Sequence, residues 1–258
     1  MVDIPECLEV IAMNPNKLIY DWNVIDYEIN RNPANHPHDV WFDDETLRDG
    51  LQSPSARNPS IEQKIELLSY MERLGIQKVD LGLPGAGPFH REHISAMLSH
   101  ISENDYQIRP GAAVRTLMHD IEPLVEMQQQ HGMEIQASAF LGTSPIRQYT
   151  EGWTMEKLIS TMEKAVSYAV ENEVPVMFVT EDTTRSNPED VKAIYQRAME
   201  LGVRRLCVCD TCGHVTPNGV KKLLNFIDEE VIKDLSLIHI SEPTRQAEIS
   251  YAVFCVKK

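Results

Sequence analysis

No apolar run in the sequence approaches the roughly 20 residues that a membrane-spanning helix needs, so no membrane partner is expected. Basic residues are scarce. Against 39 Asp and Glu stand 24 Lys and Arg, for a formal charge of −15. A chain of that sign repels phosphate backbones and is not expected to bind nucleic acid. Cysteine is also sparse, with five residues and no even framework spacing. That excludes a disulfide scaffold and points to a reducing, cytoplasmic setting. The start, Met1-Val2-Asp3-Ile4-Pro5-Glu6, lacks the basic residues of a secretory signal. What remains is an ordinary globular composition, 42% hydrophobic over 258 residues, enough for one large domain.

Residues 1–39 are polar and rich in Asn and Pro, and read as an N-terminal extension without visible chemistry. At residues 40–43 a short apolar stretch begins a strand. It runs into Asp44-Glu45-Thr46-Leu47-Arg48-Asp49-Gly50-Leu51-Gln52. Charge packed at a strand end usually marks a site, because charges are otherwise kept out of a core. Asp49 offers a hard oxygen to a divalent cation. Arg48 offers planar donors to a carboxylate or an oxyanion, and Gly50 allows a tight turn. A surface ion pair beside a glycine turn would read the same way from this stretch alone.

Beyond it, strand and helix signals alternate. Helices are expected near residues 60–74, 90–101, 155–171, 188–201 and 217–230, with another ending near Gly132. Strands are expected at 76–82, 108–114, 134–141, 174–180 and 205–209. Six consecutive strand–helix units argue for a parallel sheet. Nearly every strand ends in charge, glycine or hydroxyl. A (β/α)8 TIM barrel gathers its site at that face, whereas an open doubly wound sheet would concentrate it at one switch point. An α/β barrel with six units encoded is therefore the expected fold.

The motif D-x-T-L-R-D-G-x-Q resembles the signature of a family of metal-dependent TIM-barrel acyltransferases and lyases. Isopropylmalate, citramalate and homocitrate synthases and hydroxymethylglutaryl-CoA lyase belong to it. The resemblance covers residues 40–232 or so. It implies a catalytic role for Arg48 and a metal-ligand role for Asp49, with Mg, Mn or Zn as the cation. It also implies acetyl-CoA and a small 2-oxo acid as substrates, a Claisen-type condensation of the kind used in leucine biosynthesis, and a homodimer at full length. Residues 76–84 resemble the second-strand motif, with Asp80 where a Glu is usual. Arg115 stands where the third strand ends in Arg. The stretch Gly142-Thr143-Ser144-Pro145-Ile146-Arg147-Gln148-Tyr149 is similar to the synthase fourth-strand loop. Glu181-Asp182 with Arg185 resembles the fifth-strand E-D-x-x-R. The resemblance thus gives Glu181 a catalytic role, as a group that positions substrate or water. It makes Gln52, Asp80, Arg115, Thr143, Ser144 and Thr211 substrate-binding residues. Several of these have plainer readings: Asp80 as a helix-start acid, Thr143 and Ser144 as hydroxyl turns, Arg115 as a structural cation.

Two departures bear on specificity. Met177 stands where homocitrate synthases place an Arg for the distal carboxylate, and Val179 replaces a usual Ser. Both make the pocket more apolar. Leu51 matches the lyases, which read R-D-G-L-Q, while Thr46-Leu47 and the loop at 142–149 favour a synthase. A lyase or aldolase, or a non-catalytic barrel that only binds, are the alternatives. Cys207-Val208-Cys209-Asp210-Thr211-Cys212-Gly213-His214 looks like a zinc cluster. Strand cysteines more often pack as small hydrophobes, and the family's sixth-strand motif contains no zinc.

Residues 235–258 resemble a translated sequencing-library adapter, so the barrel domain is expected to span 40–234 and the tail to be non-native. On that reading the family's seventh-strand His-x-His is missing from the chain, which is expected to be inactive as it stands. Residues 235–240 are apolar and could be laid down as a seventh strand, with His239 near Asp49 by coincidence.

Overall fold

A single parallel sheet with strands in chain order organises the molecule. The computed structural model describes residues 41–232 and the backbone of 250–256. The strands are β1 (Asp43–Asp44), β2 (Lys78–Asp80), β3 (Arg109–Arg115), β4 (Gln136–Gly142), β5 (Val176–Glu181), β6 (Arg205–Asp210) and β7 (Ser250–Val256). Between them run α1 (Ile61–Leu74), α2 (Pro88–Glu103), α3 (Met118–His131), α4 (Pro145–Glu151), α5 (Met155–Glu171), α6 (Pro188–Glu200) and α7 (Pro217–Phe226). The first six strands form a curled half-barrel, the expected partial TIM barrel. The place beside β6 is taken by β7, in parallel. Residues 235–240 and His239, the stretch considered for that place, lie outside the described residues, as does the extension 1–39. Among the described residues no helix is long and apolar enough to cross a membrane.

Local sequence accounts for the helix ends. Ser60 caps α1 by accepting from the Gln63 amide, while the Gln63 side chain accepts from the Ser60 amide, a reciprocal box that satisfies two otherwise orphaned donors. Gly75 closes α1 and Gly132 closes α3, both in the left-handed region that glycine adopts without a Cβ penalty. One helix was not legible. Residues 145–151, expected as part of a hydroxyl-rich loop, form α4, started by Pro145 and stopped by Gly152.

The sheet has two unlike faces. Val79, Leu81, Ala112, Val114, Ala137, Ala139, Leu141, Val176, Phe178, Leu206 and Val208 point to the helices and form one core with their buried residues. Strand alternation puts the other residues on the inner face. The register aligns Lys78 with Arg109, Gly111 with Gln136, Ser138 with Met177, and Val179 with Cys207. The inner face is therefore mixed, with charged, small and apolar residues, while the outer one is apolar.

A buried polar network ties β5 and β6 to α6. Tyr195, fully buried, donates to the Cys207 carbonyl at 2.8 Å, and its oxygen lies 2.5 Å from Thr180 Oγ1. Thr183 Oγ1 accepts from the Cys209 amide at 2.9 Å. Burial pushes the Tyr195 phenol far above its ordinary value, so it stays protonated. Tyr195→Phe would leave the Cys207 carbonyl and Thr180 without this partner. It is expected to destabilise the fold by about 1–3 kcal/mol, read as a lower urea midpoint at unchanged slope; an unchanged midpoint would show that the network carries no stability.

Candidate active site

The turn after β1 is placed by contacts to β2, because β1 itself is only two residues long. Lys78 Nζ lies 2.6 Å from Asp43 Oδ2, a largely buried pair across the registered residues. The Gln77 side chain accepts from the Phe42 amide at 2.7 Å. Thr46 donates its amide to Asp44 Oδ1. The chain then turns so that the amides of Arg48 and Gly50 both reach the Glu45 carbonyl, which brings Arg48 back over the strand end.

Three carboxylates surround the Arg48 guanidinium. Its Nε donates to Glu45 Oε2 at 2.7 Å, and Nη2 meets the same oxygen. Nη1 lies 3.4 Å from Asp49 Oδ1, and Nε lies 3.7 Å from Asp80 Oδ2. Asp80 is buried. Its Oδ1 accepts from the Gly82 amide at 3.0 Å, and its Oδ2 has no hydrogen-bond partner. Burial, and then the charge of Glu45, push the Asp80 carboxyl up to about 8, against the pull of Arg48. Burial also raises Glu45, again against Arg48. A carboxylic acid kept neutral near pH 7 can donate a hydrogen bond or a proton.

The remaining expected residues fall around the same rim, in smaller groups. Gln52 is exposed in the turn Gly50–Gln52 and donates its amide to the Asp49 carbonyl. Arg115 is turned onto the next helix. Asp120, fully buried, accepts from its Nε and Nη2 at 2.8 Å each, and His119 Nε2 lies 2.9 Å from Nη2. Burial alone would raise Asp120, but the Arg115 bonds outweigh it and hold the carboxyl below its ordinary value. Arg115 is thus already engaged in a bidentate pair, which favours its plainer, structural reading. Thr143 is buried and its Oγ1 lies 2.9 Å from Ser186 Oγ. Ser144, also buried, has no hydrogen-bond partner at Oγ. Glu181, at the end of β5, sits 3.5 Å from Arg147 Nη2. Asp182 next to it is engaged by Arg185 through two bonds of 2.7 Å. Its amide donates to Thr211 Oγ1 at 2.9 Å, so Thr211 braces the β5 turn from β6. Asp210 accepts from Thr184 and from the His214 and Val215 amides.

Sequence reasoning missed the roles of Glu45 and Arg147. The signal for Glu45 was its place three residues before Arg48 on a tight turn. The signal for Arg147 was its position one short helix away from a strand-end acid. Asp49 is the residue available to a divalent cation, but among the described residues no group of three or more His, Cys, Asp or Glu comes together to hold one. Among the described residues the donors do not complete a metal centre.

Residues 39–241 match the family model described as HMGL-like. The chain belongs to the HMGL-like family. It is 28% identical over 196 residues to the 2-isopropylmalate synthase of Sediminispirochaeta smaragdinae, covering 76% of this chain and 38% of that protein. It is 27% identical over 204 residues to a homocitrate synthase of Methanocaldococcus jannaschii, covering 78% of this chain and 48% of that one. The chain therefore spans less than half the length of these relatives. In fold it is similar to the HMG-CoA lyase of Brucella melitensis, with a TM-score of 0.58 at 17% identity, covering 73% of this chain and 67% of that one. The HMG-CoA lyase of Bacillus subtilis gives the same score at 16% identity, covering 80% and 66%. As an HMGL-like barrel, the chain carries Arg48, Asp49 and Asp80 at its strand-end rim.

The Asp80 environment makes a signed prediction. The folded-state value lies above the unfolded value of 3.8. This contribution to stability is therefore full below about pH 4 and is lost as pH rises through about 8. Asp80→Asn keeps the neutral shape and removes the titration. Wild type should lose stability relative to Asp80→Asn between those limits, by at most about 1.4 kcal/mol per pH unit. Urea unfolding across that range checks it, and parallel stability curves would contradict the buried, protonated acid.

Proposed function

We propose that the barrel catalyses a Claisen-type condensation of acetyl-CoA with a small aliphatic 2-oxo acid, in the manner of an isopropylmalate or citramalate synthase. The observation that carries this reading is the Arg48 guanidinium held at the strand ends between Glu45, Asp49 and the buried Asp80. Synthase relatives support the substrate class.

Arg48 binds the developing negative oxygen on the acceptor, through a planar fork that a point charge cannot imitate. Asp80, buried beneath Arg48 and held neutral near pH 7, leaves the guanidinium its positive charge for that oxygen. Glu181, steadied by Arg147, positions the water that releases the thioester and makes the sequence irreversible. A lyase running the carbon–carbon step backwards uses the same groups, and Leu51, as in the lyases' R-D-G-L-Q, favours that second reading.

The inner wall decides the acceptor. Met177 and Val179 lie on the inner face of β5, Met177 between Ser138 and Arg205 and Val179 between Phe140 and Cys207 on the adjacent strands. A second, distal carboxylate placed at Val179 would be desolvated between Phe140 and Cys207, with Arg205 one layer lower and already donating to Gln136, at a cost of several kcal/mol. A protein carrying this barrel at the length of its relatives should prefer pyruvate or an aliphatic 2-oxo acid to 2-oxoglutarate. Thiol release from acetyl-CoA with each acceptor measures this, and a preference for 2-oxoglutarate would refute the apolar wall. In the same protein, Arg48→Lys should lower turnover by about 10²- to 10³-fold; near-normal turnover would remove Arg48 from the oxyanion role.

A further inference from the structure

The cysteines of β6 are not absorbed by the rim chemistry. Cys207 and Cys209 are two residues apart on one strand, so both lie on the inner face. Their sulfurs are 3.7 Å apart. Cys207 is buried, Cys209 is half-buried, and Cys212 beyond the strand end is exposed. On β5 the ladder that aligns Thr180 with Val208 brings Glu181 beside Cys209. The ladder on the other side of β6 is irregular between these two cysteines, which gives the backbone room to adjust there. A 3.7 Å separation would also suit two thiolates on one tetrahedral cation. A third donor group for such a centre is absent among the described residues.

We propose that Cys207 and Cys209 form a peroxide-sensing dithiol on the inner wall of the barrel, which closes to an intrastrand disulfide. Two residues of strand span about 6.6 Å between Cα atoms, at the upper end of the range a disulfide bridges. The bond is therefore attainable with a small backbone shift and is readily reduced. Cys209 is the attacking sulfur because it is the more accessible of the two. The neighbouring Cys207 thiol also holds it below the usual thiol range, against burial and the charges of Glu181 and Glu45.

The step balances. The Cys209 thiolate attacks one peroxide oxygen, an S–O bond forms and the O–O bond breaks, and the other oxygen leaves as water or an alcohol after taking a proton. The product is a sulfenic acid. The Cys207 sulfur then displaces the hydroxyl, the S–S bond forms, the S–O bond breaks, and a second water leaves. Two electrons pass from the thiols to the hydroperoxide. The disulfide removes both thiols from the wall beside Glu181 and Val179. The inference does not depend on which reaction the barrel catalyses.

The test uses the whole chain, treated with hydrogen peroxide, alkylated and mapped with trypsin. The expected result is a peptide of residues 206–221 lighter by two hydrogens, its link placed between Cys207 and Cys209 and reversed by dithiothreitol. Cys212→Ser should keep the link. Cys207→Ala should lower its yield at least about tenfold and leave a sulfenic acid at Cys209 that dimedone traps. Should Cys207→Ala not fold, the Cys212→Ser chain alone decides. Its link must be present, and two fully alkylatable thiols after peroxide would overturn the proposal. A link between Cys209 and Cys212 in the wild-type chain, or an undiminished yield in Cys207→Ala, would overturn it equally.

Discussion

The rim of this barrel depends on how one guanidinium is shared among three carboxylates. Arg48 reaches Glu45, Asp49 and Asp80, and three ionised acids around one cation in a partly desolvated turn would repel one another. A buried charge lacking full pairing costs more than its attraction returns. The structure resolves the conflict by position. Glu45, partly exposed, takes the short contacts. Asp80, buried and farthest from Arg48, carries the cost of burial and holds a proton up to about pH 8. One acid thus sits as a counter-ion and another is held neutral, and the difference comes from depth below the rim rather than from residue type.

That arrangement needs a stable platform, yet β1 offers only two residues of ladder. The Asp43–Lys78 pair and the Gln77 side chain supply what the short strand lacks. At the opposite end of the half-barrel the same problem is solved differently. Thr211 braces Asp182, Asp210 gathers the amides that follow β6, and Tyr195 fastens the two strands to α6 from the core side. Neither brace uses a rim residue proposed to meet substrate except Thr211, so the wall can vary in chemistry while the platform stays fixed.

Alternation of strands and helices was legible because apolar periodicity reflects which face is buried, and the outer faces of β2 to β6 are buried without interruption. Boundaries shifted by a few residues, and the first two strands came out shorter than their apolar stretches suggested. Asp80 could be singled out by its place at a strand end, but its neutrality could not. That property depends first on how deeply the fold buries Asp80 and then on Glu45 lying close by, across 35 residues of chain. Arg115 shows the opposite limit. Its strand-end position pointed to substrate, but Asp120, five residues on, returns from the first turn of α3 to occupy the guanidinium. A hydroxyl-rich run ending in Pro145 read as loop because its helix is only two turns long. Only the fold shows that the Tyr195 oxygen serves a carbonyl twelve residues away.

The inner wall is layered from rim to floor. Arg48, Asp80 and Glu181 stand at the strand ends. Below them Gly111, Ala113, Ser138, Met177 and Val179 are small or apolar. Toward the strand starts, charge returns, with Lys78 paired to Asp43 and Arg205 donating to Gln136 at 3.1 Å. A ligand entering from the rim meets donors first and an apolar band second. Its charged or polarised end is best placed at the top, beside Arg48, and an aliphatic group is best placed in the band beneath. Reversing the ligand would bury its charge against Met177 and Val179 and leave the rim groups with no partner but each other. The layering of the inner wall therefore fixes which way round a ligand with one charged and one aliphatic end would lie.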